Sequence, residues 1–205
     1  AITGAGSWQM YKVVEAGGVT LLEWAFLIFF VVNFSWIALA FTTGLLGLGH
    51  LLRHGLNRKP ELPDALRERT ALVMPIYNES PARVFGTVQA IAEDVAATGH
   101  GASFDFFFLS DTTDPDIWIA EERAFLALRE RLPGMAIHYR HRPKNTARKA
   151  GNIADFVTHW GGHYAHMIVL DADSLMTGET IVALADAMEN DPDAGIIQTL
   201  PRLIN

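Results

Sequence analysis

Between Trp24 and Gly49 the chain carries no Asp, Glu, Lys or Arg and is built of Leu, Ile, Phe, Val, Ala and Gly, with Asn33 as its one amide side chain. About 20 apolar residues suffice to cross the hydrocarbon core of a bilayer, so residues 24–49 read as a transmembrane helix with room to tilt. A buried helix of a soluble core would show a polar face over such a length. A secretory signal peptide has a shorter apolar core and basic residues ahead of it. Here Glu15 and Glu23 precede the run, while Arg53, Arg58, Lys59, Arg67 and Arg69 follow it. Positive flanks stay cytoplasmic, which puts residues 1–23 outside and everything after the span inside. Trp8, Trp24 and Trp36 fit interfacial anchors or plain lipid and helix contacts; Asn33 fits a bond to a neighbouring helix or a lone tolerated amide.

A short Pro-punctuated linker, within residues 50–69, leads to a different pattern. Apolar runs at 70–74, 104–109, 135–139, 166–170 and 195–199 alternate with amphipathic stretches near 81–98, 116–131, 149–160 and 178–190. Strand–helix alternation of this kind gives an α/β fold with a Rossmann-like, mostly parallel sheet. Ser80 with Pro81, and Thr177, are placed to cap helices, and Pro133-Gly134 to end one. The chain starts at Ala1 and stops at Asn205 soon after an apolar run, so it reads as part of a longer protein.

A formal charge of -7 speaks against a nucleic-acid partner, and the absence of cysteine excludes thiolate metal sites and thiol nucleophiles. His159, His163 and His166 are close in sequence, but Gly161 and Gly162 interrupt them and no zinc pattern joins them.

In open α/β sheets ligands sit beyond the carboxyl ends of the strands, and there the polar residues gather. The first strand ends in Pro75-Ile76-Tyr77-Asn78-Glu79-Ser80 and the second in Ser110-Asp111. The fourth ends in Asp171-Ala172-Asp173, whose carboxylates would share one side of an extended segment and reach one divalent cation. Asn78 and Ser80 are equally at home as turn and capping residues. The basic segment from Arg140 to Asn152 supplies positive charge and a helix start to offset these acids.

Taken in order, Pro75-Ile76-Tyr77-Asn78-Glu79, Ser110-Asp111, Lys149-Ala150-Gly151-Asn152 and Asp171-Ala172-Asp173 resemble the motifs of inverting glycosyltransferases of family 2, with the GT-A fold. The stretch from Leu72 to Glu79, the Arg148 to Asn152 run and Gln198-Thr199-Leu200-Pro201-Arg202 look most like the branch that builds osmoregulated periplasmic glucans. The resemblance covers residues 70–205 and implies an incomplete GT-A domain. It also implies UDP-glucose as donor, a growing β-1,2-glucan as acceptor, Mg2+ or Mn2+ as cofactor, and a partner that processes the glucan in the periplasm. The intact protein would be a multi-pass enzyme of the bacterial inner membrane, its catalytic part cytoplasmic.

By position, Asp111 would bind the uracil or ribose, Tyr77 and Glu79 would shape the base pocket, and Lys149 would approach the diphosphate. Asp171 would meet the diphosphate and, with Asp173, hold the metal; Pro75, Asn78 and Asn152 complete the substrate-binding set. The family's general base would lie beyond Asn205, leaving this piece inactive alone. Three other readings are another processive polysaccharide synthase of family 2, a haloacid dehalogenase-type phosphohydrolase, which the position of the Asp pair and Leu175 disfavour, and a membrane-anchored nucleotide-binding module without catalysis.

Overall fold

The computed structural model describes residues 1–54 and 61–199. The linker residues Arg58 and Lys59 and the motif residues Leu200, Pro201 and Arg202 lie outside these. The chain divides into two compact units, Ala1–Lys59 and Pro60–Asn205.

The first unit is a helical hairpin. Helix α1 (Ile2–Glu15) was not foreseen in the sequence; it turns through Gly18, at φ 85°, into α2 (Leu21–His54). At 1.5 Å per residue α2 is about 50 Å long, well over the thickness of a hydrocarbon core. Its hydroxyls do not need water: Ser35, Thr42 and Thr43 donate to the carbonyls of Val31, Ala38 and Leu39 at 2.6, 2.7 and 2.8 Å. Phe29, Val32, Trp36 and Leu46 stand exposed along it. Among the described residues, α2 is the helix long and apolar enough to cross a membrane. Trp8 stacks on Tyr11 at 5.8 Å and Tyr11 meets Trp24 at 6.3 Å, so Tyr11 links two of the tryptophans across the hairpin. Gly6 lies against the Phe34 ring with no space for a Cβ.

The second unit is a four-stranded parallel sheet in the order β3-β2-β1-β4. Its strands are β1 (Thr70–Ile76), β2 (Phe104–Ser110), β3 (Ala136–His141) and β4 (His166–Val169), with helices α3 (Pro81–Ala97), α4 (Pro115–Arg131), α5 (Arg148–His159) and α6 (Gly178–Asn190). Alternation along the strands sorts the core. Leu72, Met74, Phe106 and Phe108 pack with Val84, Val88, Leu128 and Ile181 on one face, whereas Ala71, Val73, Phe107 and Leu109 pack with Phe156 on the other. Pro75 has no amide to donate, and it sits in β1 beyond Val73, where pairing to β4 has ended and β2 is the remaining neighbour.

Asp105 is the acid inside β2, and its charge is met by Arg69 and by the Tyr164 hydroxyl, which donates at 2.5 Å. Burial, reinforced by this bond to the carboxylate, raises the Tyr164 pKa above its ordinary value. Local capping follows the sequence in part. Asp114 Oδ1 accepts from the Asp116 amide at 2.9 Å, and Thr177 accepts from Thr180 at 3.3 Å. Ser80 precedes Pro81 at the start of α3, but its side chain makes no cap bond, and its carbonyl accepts the Arg83 and Val84 amides instead.

The expected strand at 195–199 does not form. A turn closed by the Ala194 amide on the Asp191 carbonyl delivers the segment beside β4, where it lines an apolar hollow with Met167, Val169, Leu184 and Met188. Ile196 is 87% exposed there, and no ladder bonds join the segment to β4 among the described residues.

Two contacts fix α6. A Cβ at Gly178 would lie 2.5 Å from the Asp94 carbonyl, and the Gly178 amide donates to Asp94 Oδ2 at 2.6 Å. Because the obstruction is backbone, Gly178→Ala should destabilise the unit by about 1–3 kcal/mol, the usual range for overpacking; urea denaturation checks this. At the other end the Glu189 carboxylate accepts from the Arg67 and Glu68 amides at 3.1 and 3.0 Å and pairs with Arg67 Nε at 3.2 Å. Burial pushes its pKa up, but these bonds outweigh it and hold the group below the ordinary carboxylate value. A lowered folded-state pKa stabilises above the unfolded pKa of about 4.3 and ceases to as pH falls through the folded one. Glu189→Gln should therefore cost about 1–2 kcal/mol at pH 7, with the difference from wild type shrinking below about pH 4; denaturation curves across pH read both.

Candidate functional site

Every carboxyl strand end except that of β3 opens on one cleft of about 580 Å³, with Asp111 from β2 and the basic turn after β3 closing its side. Its walls include Pro75, Tyr77, Glu79, Asp111, Lys149, Asn152, Asp171 and Asp173. These were drawn from sequence segments as far apart as residues 75 and 173.

Each wall has its own support. At the end of β1, Asn78 adopts φ 55° and does not line the cleft. Its amide donates to Thr112 Oγ1 at 3.1 Å, and its Oδ1 accepts from the Thr113 and Asp114 amides at 3.1 and 3.2 Å. It thus staples the loop after β1 to the loop after β2. Glu79 accepts from the Tyr77 amide, folding the loop so that the Tyr77 ring stands half-exposed at the cleft.

Asp111 is buried, and Arg142 grips it with two bonds, Nε to Oδ1 and Nη2 to Oδ2, both 2.8 Å. The bond to Asp111 raises the Arg142 pKa further above its ordinary value. The same guanidinium donates to the Thr146 carbonyl at 3.0 Å, and so shapes the turn leading into α5. That turn is tight: Ala147 and Arg148 take φ 57° and 52°, and a Cβ on Gly151 would lie 2.1 Å from the Thr146 carbonyl oxygen. Two left-handed non-glycine residues cost of order 1–2 kcal/mol each. Strain of this size is held where the surroundings over-determine the backbone, as at binding sites.

Two amides that line the cleft each have a buried oxygen left unpaired. Asn152 is fully buried; its Nδ2 donates to the Leu109 carbonyl at 2.8 Å, and its Oδ1 has no partner among the described residues. Asn145 Oδ1 is orphaned in the same way. Buried polar atoms are rarely left unpaired without a ligand or water in view. With its Nδ2 committed, Asn152 offers an acceptor, which suits a hydroxyl group better than a phosphate oxygen.

The acidic turn after β4 differs in shape from the expected extended segment. The Ser174 amide bonds the Asp171 carbonyl at 3.1 Å and the chain turns there, burying Ala172 while both flanking carboxylates stay exposed in the cleft. Lys149 pairs with Asp171. Asp171 and Asp173 fit Mg2+ or Mn2+: both ions take hard oxygen ligands, and sites that share a cation with phosphate groups need only one or two protein carboxylates. No group of three or more potential metal-ligating side chains occurs among the described residues, so a third protein ligand is not at hand.

Four carboxylates line the cleft against Arg83, Arg148 and Lys149. Sequence reasoning assigned no role to Arg83, Asn145 or Glu121. Arg83 was legible in principle, because it stands in the first turn of the helix that follows β1. Glu121, in the middle of α4, carries no local signal at all.

Residues 71–203 match the family model described as "Glycosyl transferase family 2". The chain is 53% identical over 199 residues to the glucans biosynthesis glucosyltransferase H of Shewanella sp. (strain W3-18-1), and 54% identical to that of Shewanella baltica (strain OS155). Each alignment covers 97% of this chain and 27% of the relative, so the chain spans about a quarter of the length of these curated relatives. Among solved structures, the mannosyltransferase PcManGT from Pyrobaculum calidifontis, in complex with GDP-Man and Mn2+, superposes with a TM-score of 0.52 at 18% identity. That superposition covers 76% of this chain and 42% of the other, and it bears on the fold alone, which is of the GT-A kind. With well over half its residues under the family model, at the strand ends where the cleft forms, the chain belongs to glycosyl transferase family 2.

Proposed function

We propose that this chain is the membrane-proximal, donor-binding part of a glucosyltransferase that moves glucose from UDP-glucose onto a growing β-1,2-glucan with inversion at the anomeric carbon. The observation that carries this reading is the convergence of Tyr77, Asp111, Lys149, Asp171 and Asp173 on one cleft at the carboxyl edge of the sheet. The identity to glucosyltransferases named for glucan biosynthesis supports the sugar and the product.

In this reading the nucleoside lies between Tyr77 and the Asp111–Arg142 pair, with Glu79 fixing the loop that carries Tyr77. The unpaired Asn152 Oδ1 accepts from a donor hydroxyl. The diphosphate lies toward the start of α5, where the helix amides, Arg148 and Lys149 face it, favourable ground for an anion. Asp171 and Asp173 would hold the divalent cation, which when bound supplies Lewis-acid stabilisation of the charge on the departing UDP. The acceptor hydroxyl attacks the anomeric carbon as its bond to the UDP oxygen breaks. The hydroxyl proton passes to a general base, a role that no residue of this chain is assigned. In this reading the cleft lies on the cytoplasmic side of the bacterial inner membrane, which the basic residues after the span support, with further spans in the intact protein and the glucan emerging toward periplasmic processing.

Glucose transfer from labelled UDP-glucose, measured on the full-length protein in native membranes, tests this. Asp171→Asn/Asp173→Asn should lower kcat/KM at least about a hundredfold, the scale of several kcal/mol of lost charge stabilisation. Transfer at the wild-type rate by that variant, or a nucleotide sugar other than UDP-glucose as the preferred donor, would contradict the proposal.

A further inference from the structure

Behind the cleft, on the face of the sheet covered by α4, a carboxylate is buried where nothing in the donor-site reading uses it. Glu121 is 1% exposed. Three hydroxyls converge on it: Ser110 Oγ donates to Oε2 at 2.7 Å, Thr112 Oγ1 to Oε1 at 2.5 Å and Tyr139 Oη to Oε2 at 2.9 Å. A buried charge with fewer donors would be costly; with three it becomes a fixed node. Burial raises the Tyr139 pKa above its ordinary value, so the phenol keeps its proton and remains a donor.

Two of the three donors flank Asp111 in sequence. With Ser110 and Thr112 drawn to one side of the sheet, Asp111 between them projects to the other, where Arg142 receives it. The loop is pinned further by bonds that depend on the same residues. The Thr112 amide donates to Ser110 Oγ at 3.2 Å, the Asn78 amide to Thr112 Oγ1 at 3.1 Å, and a His141 ring nitrogen meets the Thr112 carbonyl at 2.8 Å. Glu121 therefore reaches the loop after β2 directly and the loop after β1 through Thr112 and Asn78. The acidic turn after β4 has no bond to this network among the described residues.

From this asymmetry we infer that Glu121 is a positioning residue for the nucleoside end of the cleft: it sets Asp111 and the Tyr77 loop without touching ligand, and reaches the diphosphate end only at second hand, through Asp111 and the Arg142 bonds to the Thr146 and Arg148 carbonyls. The inference rests on the donor-site reading above.

The test is calorimetric titration of the whole chain in detergent micelles with two probes, UDP and inorganic pyrophosphate, each with Mn2+, alongside the thermal midpoint. Glu121→Gln keeps the shape but replaces one acceptor oxygen with a donor, so at least one hydroxyl loses its acceptor. It should weaken UDP binding about tenfold, the scale of one charge-assisted hydrogen bond, and leave pyrophosphate within about twofold. A merely structural role would lower the midpoint and leave the ratio of the two affinities unchanged, and that result overturns the inference. If Glu121→Gln does not fold, Ser110→Ala and Tyr139→Phe each remove one donor. Each should weaken UDP about threefold with pyrophosphate unaffected, and unaltered UDP affinity in both overturns the inference equally. Failure of the donor-site reading is seen separately, as a wild-type chain that binds neither probe.

Discussion

Strands β1 and β2 are buried on both faces, and this constraint settles where chemistry can occur. A strand covered by helices on each side has no room for a solvated polar group along its length; the one acid within β2, Asp105, is tied to Arg69 and Tyr164. Polar side chains can emerge only where the strands end. The order β3-β2-β1-β4 reverses direction at β1, so the connections leave on opposite sides and the carboxyl ends of β1, β2 and β4 surround an open crevice. Tyr77, Asp111 and Asp171 are each within a few residues of such an end.

Two ion pairs in this crevice differ in kind. Arg142 and Asp111 are both largely buried and joined by two bonds, and breaking such a pair by removing one partner costs about 3–5 kcal/mol because the other charge is stranded. Lys149 and Asp171 are 53% and 60% exposed, a setting in which an ion pair contributes about 0–1 kcal/mol. The first pair is architecture. The second is readily exchanged, so in the proposed function a diphosphate would take Lys149 and a cation Asp171 with little lost.

Much of this was legible in the sequence because it depends on period and position. Alternation of apolar runs with amphipathic stretches gave the strands and helices that build the unit, the strand-end rule picked out Asp111, Asp171 and Asp173, and the basic segment with the family resemblance picked out Lys149. What escaped depends on distant partners. Asn78 reads as a site residue or a turn residue with equal ease, and only the Thr112–Asp114 loop beside it makes it a staple. Glu121 lies on an ordinary helix, and its three hydroxyl donors come from two different strands and the loop after one of them. The Asp171-Ala172-Asp173 segment was read as extended because alternation is the default after a strand, whereas burial of Ala172 and the Ser174 bond bend it. Residues 195–199 are apolar enough for a strand, but the turn before them sets them beside β4 without a ladder.

If the cleft is a metal-assisted nucleoside diphosphate site, UDP titrated into the chain in detergent, with and without Mg2+ or Mn2+, reveals it. Binding should appear with the cation and disappear on chelation. UDP binding of equal strength in the absence of metal would contradict the role given to Asp171 and Asp173, and no binding under either condition would contradict the site itself.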